Sequence, residues 1–112
     1  MVDVQIRTRD GLPTHLSSRG HAGGNGSASN AACAAVSVLL KSFGLALVQH
    51  HGCTVDLAAD QPGEFDLHLL DWNDPAWMQG VWTVTKAGLR ETESAWPQEV
   101  QITITEEKKD GT

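Results

Sequence analysis

From Ala32 to Leu47 the apolar residues Ala32, Val36, Leu39, Leu40, Phe43 and Leu47 recur at three- and four-residue steps, which lines them up along one face of a helix. That face must be buried, and the segments at the two ends of the chain show what buries it. Val2, Val4 and Ile6 alternate with Asp3, Gln5 and Arg7, and Val100, Ile102 and Ile104 alternate with Gln101, Thr103 and Thr105. A period of two marks half-buried strands. A chain of 112 residues holds one core of this kind, so residues 1–112 are read as a single domain.

The remaining elements follow from punctuation. Asp10-Gly11 turns the first strand back into a second, Leu12 to about Arg19, in which Pro13 favours an edge or strand-start position. Gly20 to Ser29 is a Gly/Ser/Asn/Ala loop, after which Ser29 or Asn30 can cap the helix that runs to His50 and stops at Gly52. Thr54–Leu57 and Phe65–Leu69 read as strands joined through the turn Gln61-Pro62-Gly63. Asp74-Pro75 opens a second helix with Trp77, Val81, Val84 and Leu89 as its apolar face, ending before Pro97. Of Trp72, Trp77 and Trp82, only Trp77 falls on that face. The tail from Glu106 reads as solvated charge. The expected fold is α+β, in the order β-β-α-β-β-α-β: a two-layer sandwich with a mainly antiparallel sheet and two helices on one face. The pairing order of the strands stays open.

Eight Lys and Arg against 14 Asp and Glu give a net charge of -6, which speaks against direct nucleic-acid binding and suits a basic partner. No apolar run is seen to approach the ~18–20 residues of a membrane span, and the alternating N-terminus lacks the apolar stretch of a signal peptide. A cytoplasmic protein with free thiols is expected, with no membrane partner.

Cys33 then falls in the first turn of the first helix, where free N–H groups and the dipole favour a thiolate. As a small residue between Ala32 and Ala34 it can equally be a buried hydrophobe. His21 lies in the glycine-rich loop, which can fold back to place an imidazole beside the thiol. Asn30 can orient that imidazole or cap the helix, and Ser37, four residues after Cys33, can hydrogen-bond in the site or to its own helix. Cys33 and Cys53 stand at opposite ends of a helix ~30 Å long and cannot share an ion, while His50, His51 and Cys53 lack a fourth ligand. No metal and no cofactor is assigned. Gly23-Gly24-Asn25-Gly26 lacks the Gly-Lys-Ser/Thr of a phosphate loop.

Gly20-His21-Ala22, a loop, and Cys33-Ala34-Ala35-Val36-Ser37, with 12 residues from histidine to cysteine, resemble the two signature blocks of the bacterial ribosomal-processing cysteine protease family Prp. Trp96-Pro97 followed by Val100 extends the resemblance along the chain. It implies a homodimeric α+β peptidase in which His21 and Cys33 match the dyad and Gly20, Gly23, Gly24 and Gly26 belong to the substrate loop. The implied substrate is the basic N-terminal tail of large-subunit ribosomal protein L-twenty-seven, removed during ribosome maturation. The family usually carries aspartate where this chain has Asn30, which keeps a hydrogen-bonding group and loses a charge. The alternative reading is a non-catalytic ribosome- or translation-associated module of the same fold.

Overall fold

The computed structural model describes residues 1–20, 27–50, 52–58 and 64–107. Five strands, β1 (Val2–Arg9), β2 (Leu12–Arg19), β3 (Cys53–Ala58), β4 (Phe65–Trp72) and β5 (Val100–Glu106), form one sheet in the order β3-β4-β2-β1-β5. The helices α1 (Ser27–Gln49) and α2 (Pro75–Ala95) occupy the two expected places in the chain. The β1–β2, β2–β4 and β3–β4 pairs are antiparallel and β1–β5 is parallel, so the sheet is mixed. The turn Gln61-Pro62-Gly63 lies outside the described residues.

At the β1–β2 turn Asp10 and Gly11 both have positive φ, 54° and 79°, the twist that matches two-residue hairpins. β2 is an interior strand, not an edge. Pro13 is accommodated because it stands second in the strand, opposite Thr8, where the register slips between Arg7 and Thr8. Glu106 and Glu107 are likewise not a free tail. The Glu106 carboxylate accepts from the Thr8 hydroxyl at 2.7 Å and from the amides of Asp10 and Gly11, and these donors hold it below its ordinary pKa. Glu107 pairs with Arg9 at 3.0 Å.

The core stripe of α1 is as the periodicity requires: Ala32, Val36, Leu40, Phe43 and Leu47 are buried and Leu39 is packed against them. The face of α2 is rotated from expectation. Met78, Trp82, Thr85, Leu89 and Thr92 point inward, whereas Val84 is 73% exposed and Trp77 and Val81 are half-buried. Burying two threonines is inexpensive because each hydroxyl donates to the carbonyl four residues earlier, Val81 for Thr85 and Gly88 for Thr92. Trp82, not Trp77, is therefore the core tryptophan, edge-on to Phe43 at 5.9 Å between centroids. Truncating it to alanine would cost about 3–5 kcal/mol.

Gly44 sits over Phe65, Leu67 and Leu57, which places α1 across the β3–β4 half of the sheet, and α2 packs on β2 and β5. The two helices meet where Gly88 faces Leu39. Glu93 accepts from the Ile102 amide at 2.7 Å and so covers part of the free edge of β5. One point of composition is corrected: Ala31–Gln49 is long and apolar enough to cross a membrane. Its apolar length comes from a core face on one side and from exposed Val38, Leu45 and Val48 on the other.

Candidate active site

At one end of the sheet β1 starts, β2 finishes and β5 starts. The Val2 amide donates to the Glu99 carbonyl at 2.7 Å, in the segment that carries Trp96 and Pro97, and Asp3 pairs with Arg19. Gly20 closes this corner. Its φ is +92°, and a Cβ on it would stand 2.5 Å from the Met1 carbonyl oxygen, so both the backbone conformation and the space demand glycine. The backbone at the end of β2 is thereby fixed at Gly20, the residue before His21 in the sequence. His21, Gly23, Gly24 and Gly26 lie outside the described residues.

The chain re-enters as α1 at Ser27, earlier than Ser29 or Asn30. Asn30 is thus the fourth helical residue and not its cap, and Cys33 is the seventh and not in the first turn. This has a chemical consequence. The amide of a seventh helical residue is engaged in the i to i−4 ladder, and the dipole's influence fades within the first turn. Cys33 cannot lend its own N–H to an oxyanion, and the helix dipole gives its thiol little. The helix starts early because Ser27, Ala28 and Ser29 are compatible with a helical first turn once the glycines end.

Cys33 is partly exposed and packs along the rim of the core, and Ser37, one turn on, is also half-buried. The thiol is therefore not sealed in the interior as a structural cysteine would be. The histidines among the described residues are all elsewhere. His15 and His68 stand on the sheet face away from the helices, since their neighbours Leu16, Leu67 and Leu69 fill the core. His50 lies ~25 Å along α1 from Cys33. There it stacks on Trp77 with 3.7 Å between centroids and holds its Nε2 3.7 Å from an Asp74 carboxylate oxygen.

Cys53, at that far end, is also free and partly exposed. Burial, then the carboxylates of Asp74 and Asp71, push its thiol above the ordinary value, so it stays protonated at neutral pH.

This arrangement, a mixed five-stranded sheet covered by two helices with a rim thiol near the start of the first, is that of a small α+β cysteine peptidase. Residues 1–101 match the family model for Cysteine protease Prp, and the chain belongs to that family. Three solved structures share the fold. One is SMU.848 from Streptococcus mutans, with TM-score 0.79 and 23% identity over 96% of both chains. Another is the essential ribosomal processing protease Prp from S. aureus in complex with a substrate peptide, with TM-score 0.80 and 20% identity over 94% of this chain and 100% of that one. The same S. aureus protease with a covalently linked product peptide gives TM-score 0.80 and 21% identity over 94% of this chain and 100% of that one. No curated protein matches by sequence.

Proposed function

We infer that this peptidase removes the N-terminal extension of a large-subunit ribosomal protein in the cytoplasm, with Cys33 as nucleophile and His21 as base and acid. The observation that carries the dyad is Gly20. It launches the chain toward His21 from the sheet end at which α1 begins, while every described histidine is held away from Cys33 by the sheet or by the length of α1. His21 takes the thiol proton, and the thiolate attacks the scissile carbonyl. As the tetrahedral species collapses, the C–N bond breaks, His21 protonates the leaving amine, and a thioester to Cys33 remains. Water, deprotonated by His21, then attacks the thioester, releasing the carboxylate product and returning the proton to the thiol.

The substrate reading is supported by the S. aureus relative, a ribosomal processing protease crystallised with a substrate peptide, and by charge. A net charge of -6 attracts a basic ribosomal tail. The homodimer implied by the family resemblance is supported by the exposed Val38, Leu45 and Val48 along α1. The test is a gel assay of the organism's own full-length precursor. Wild-type chain cuts it once near the N-terminus, at a rate that falls with added salt, and Cys33→Ser and His21→Ala leave it whole. Cleavage retained in either variant overturns the dyad, and an untouched precursor with a competent general peptidase activity overturns the substrate.

A further inference from the structure

The sheet face opposite the helices carries a second cluster that the peptidase reading does not use. In the β2–β4 register His15 stands directly opposite His68, and Asp66 lies two residues before His68 on the same face. The two imidazole rings stack with 4.0 Å between centroids and 14° between planes. Both direct Nε2 at one oxygen: Asp66 Oδ1 is 2.5 Å from His15 Nε2 and 3.7 Å from His68 Nε2. One ligand atom from each of the three residues lies within 4.8 Å of the other two.

We propose that His15, His68 and Asp66 form a divalent transition-metal site, with Zn2+ as the fitting ion. Two imidazoles and a carboxylate are a borderline-soft N2O donor set, which suits zinc better than magnesium or calcium. Bonds of about 2.0–2.2 Å in a tetrahedron put ligand atoms ~3.4 Å apart, within small side-chain rotations of what is observed. The ion takes the place of the hydrogen bond between His15 and Asp66. Solvent has access, since the His15, Asp66 and His68 side chains are 23%, 32% and 47% exposed, so water completes the coordination. Asp56, opposite His68 on β3, adds negative charge beside the site, and Arg7, opposite His15 on β1, opposes it.

The position gives the ion a task. The β1–β2 and β3–β4 hairpins join within the sheet only through β2–β4, a register of four residue pairs from His15↔His68 to Ser18↔Phe65. A metal bound to His15 on one hairpin and to Asp66 and His68 on the other clamps that junction. It acts through stability, far from the thiol.

The experiment uses the full untagged chain carrying Cys33→Ala, so that the proposed nucleophile does not compete for the ion. Zn2+ is titrated by calorimetry and Co2+ by absorption. One ion binds per chain, the melting temperature rises with Zn2+, and Co2+ gives the strong visible bands of low-coordinate nitrogen and oxygen ligation. His15→Gln and His68→Gln each weaken binding about tenfold or more and remove the Zn2+-dependent rise, whereas Cys53→Ser and His50→Gln change neither. Should the histidine variants fail to fold, the imidazole nitrogen resonances of the parent chain decide: those of His15 and His68 shift together at one equivalent of Zn2+. No binding at ~100 μM Zn2+, binding unchanged in folded His15→Gln and His68→Gln, or unmoved resonances would each overturn the site.

Discussion

The two ends of α1 carry the same functional group in opposite chemical settings. Cys33 and Cys53 are both free, and both are partly exposed at the rim of the core. Cys53 follows the helix's negative end and faces Asp71 and Asp74, which keep it a thiol. Cys33 stands in a helix, Ser27–Gln49, that contains no acidic residue and one lysine, Lys41. The histidines divide the same way. His50 at the far end is already committed to Trp77 and Asp74, while the proposed base, His21, follows Gly20 in the chain. Exposure therefore does not distinguish the two thiols; the acidic neighbours of Cys53 do.

The most severe way to break this contrast is to remove each thiol in turn. Cys33→Ser is expected to lower kcat/KM by about 10³-fold or more and His21→Ala by a similar factor, with the double variant little worse than either, because the pair acts as a unit. Cys53→Ser should stay within about twofold of wild type. A large loss from Cys53→Ser would place the chemistry at the wrong end of α1.

Reactivity sharpens the same contrast without any substrate. At pH 7 iodoacetamide, followed by peptide mass mapping, should label Cys33 about tenfold faster than Cys53. The sign follows from the environment. A thiol whose pKa is raised holds less thiolate at every pH below that value, so labelling of Cys53 should rise only well into alkaline solution. Asp71→Asn with Asp74→Asn should move that rise to lower pH, while an asparagine at position 74 still accepts the Trp77 amide that caps α2. Equal rates for the two cysteines, or a Cys53 profile indifferent to these changes, would count against the electrostatic account.

Two glycines that need their conformation flank α1 in the chain, Gly20 at the end of β2 with φ +92° and Gly52 before β3 with φ +97°. Their surroundings differ. A Cβ at Gly20 meets the Met1 backbone carbonyl, and one at Gly52 meets the Asn73 side chain, which can swing away. Gly20→Ala should cost about 2 kcal/mol and Gly52→Ala about 1 kcal/mol in denaturant unfolding. Only the first should also lower kcat/KM in the folded fraction. Equal stability losses with no effect on cleavage would mean that Gly20 closes the sheet corner and does not position His21.

How much of this was readable beforehand depended on whether the signal was local. The α1 stripe and the alternating strands were legible because periodicity reports one element's own burial. The face of α2 was not, since Thr85 and Thr92 look polar until their hydroxyls are satisfied within the helix. Met78, Trp82 and Leu89, spaced four and seven apart, were the available clue. The interior place of β2 was hidden by Pro13, whose missing donor is harmless at a register slip. The His15, Asp66 and His68 cluster exists only through the β2–β4 pairing, which no spacing along the chain encodes. The blocks around His21 and Cys33 were legible as family motifs, and the family match over residues 1–101 spans both. The helix start was not, because Ser27, Ser29 and Asn30 can each serve as either cap or first turn.

The smallest effect belongs to Asn30, one turn before Cys33 and inside α1, where it is not the helix cap. A residue three positions before the thiol shares its side of the helix. A carboxylate there would stabilise an imidazolium at His21 and raise its apparent pKa. The active thiolate–imidazolium pair exists between the pKa of the thiol and that of the imidazole, so raising the latter extends activity on the alkaline side and leaves the acidic limb nearly unmoved. Asn30→Asp is thus expected to shift the basic limb of the kcat/KM profile upward by roughly half a unit, with at most about a threefold change at neutral pH. A shift confined to the acidic limb would mean that the new charge acts on Cys33 directly. An unchanged profile would place residue 30 outside the site, leaving His21 without an orienting partner on α1.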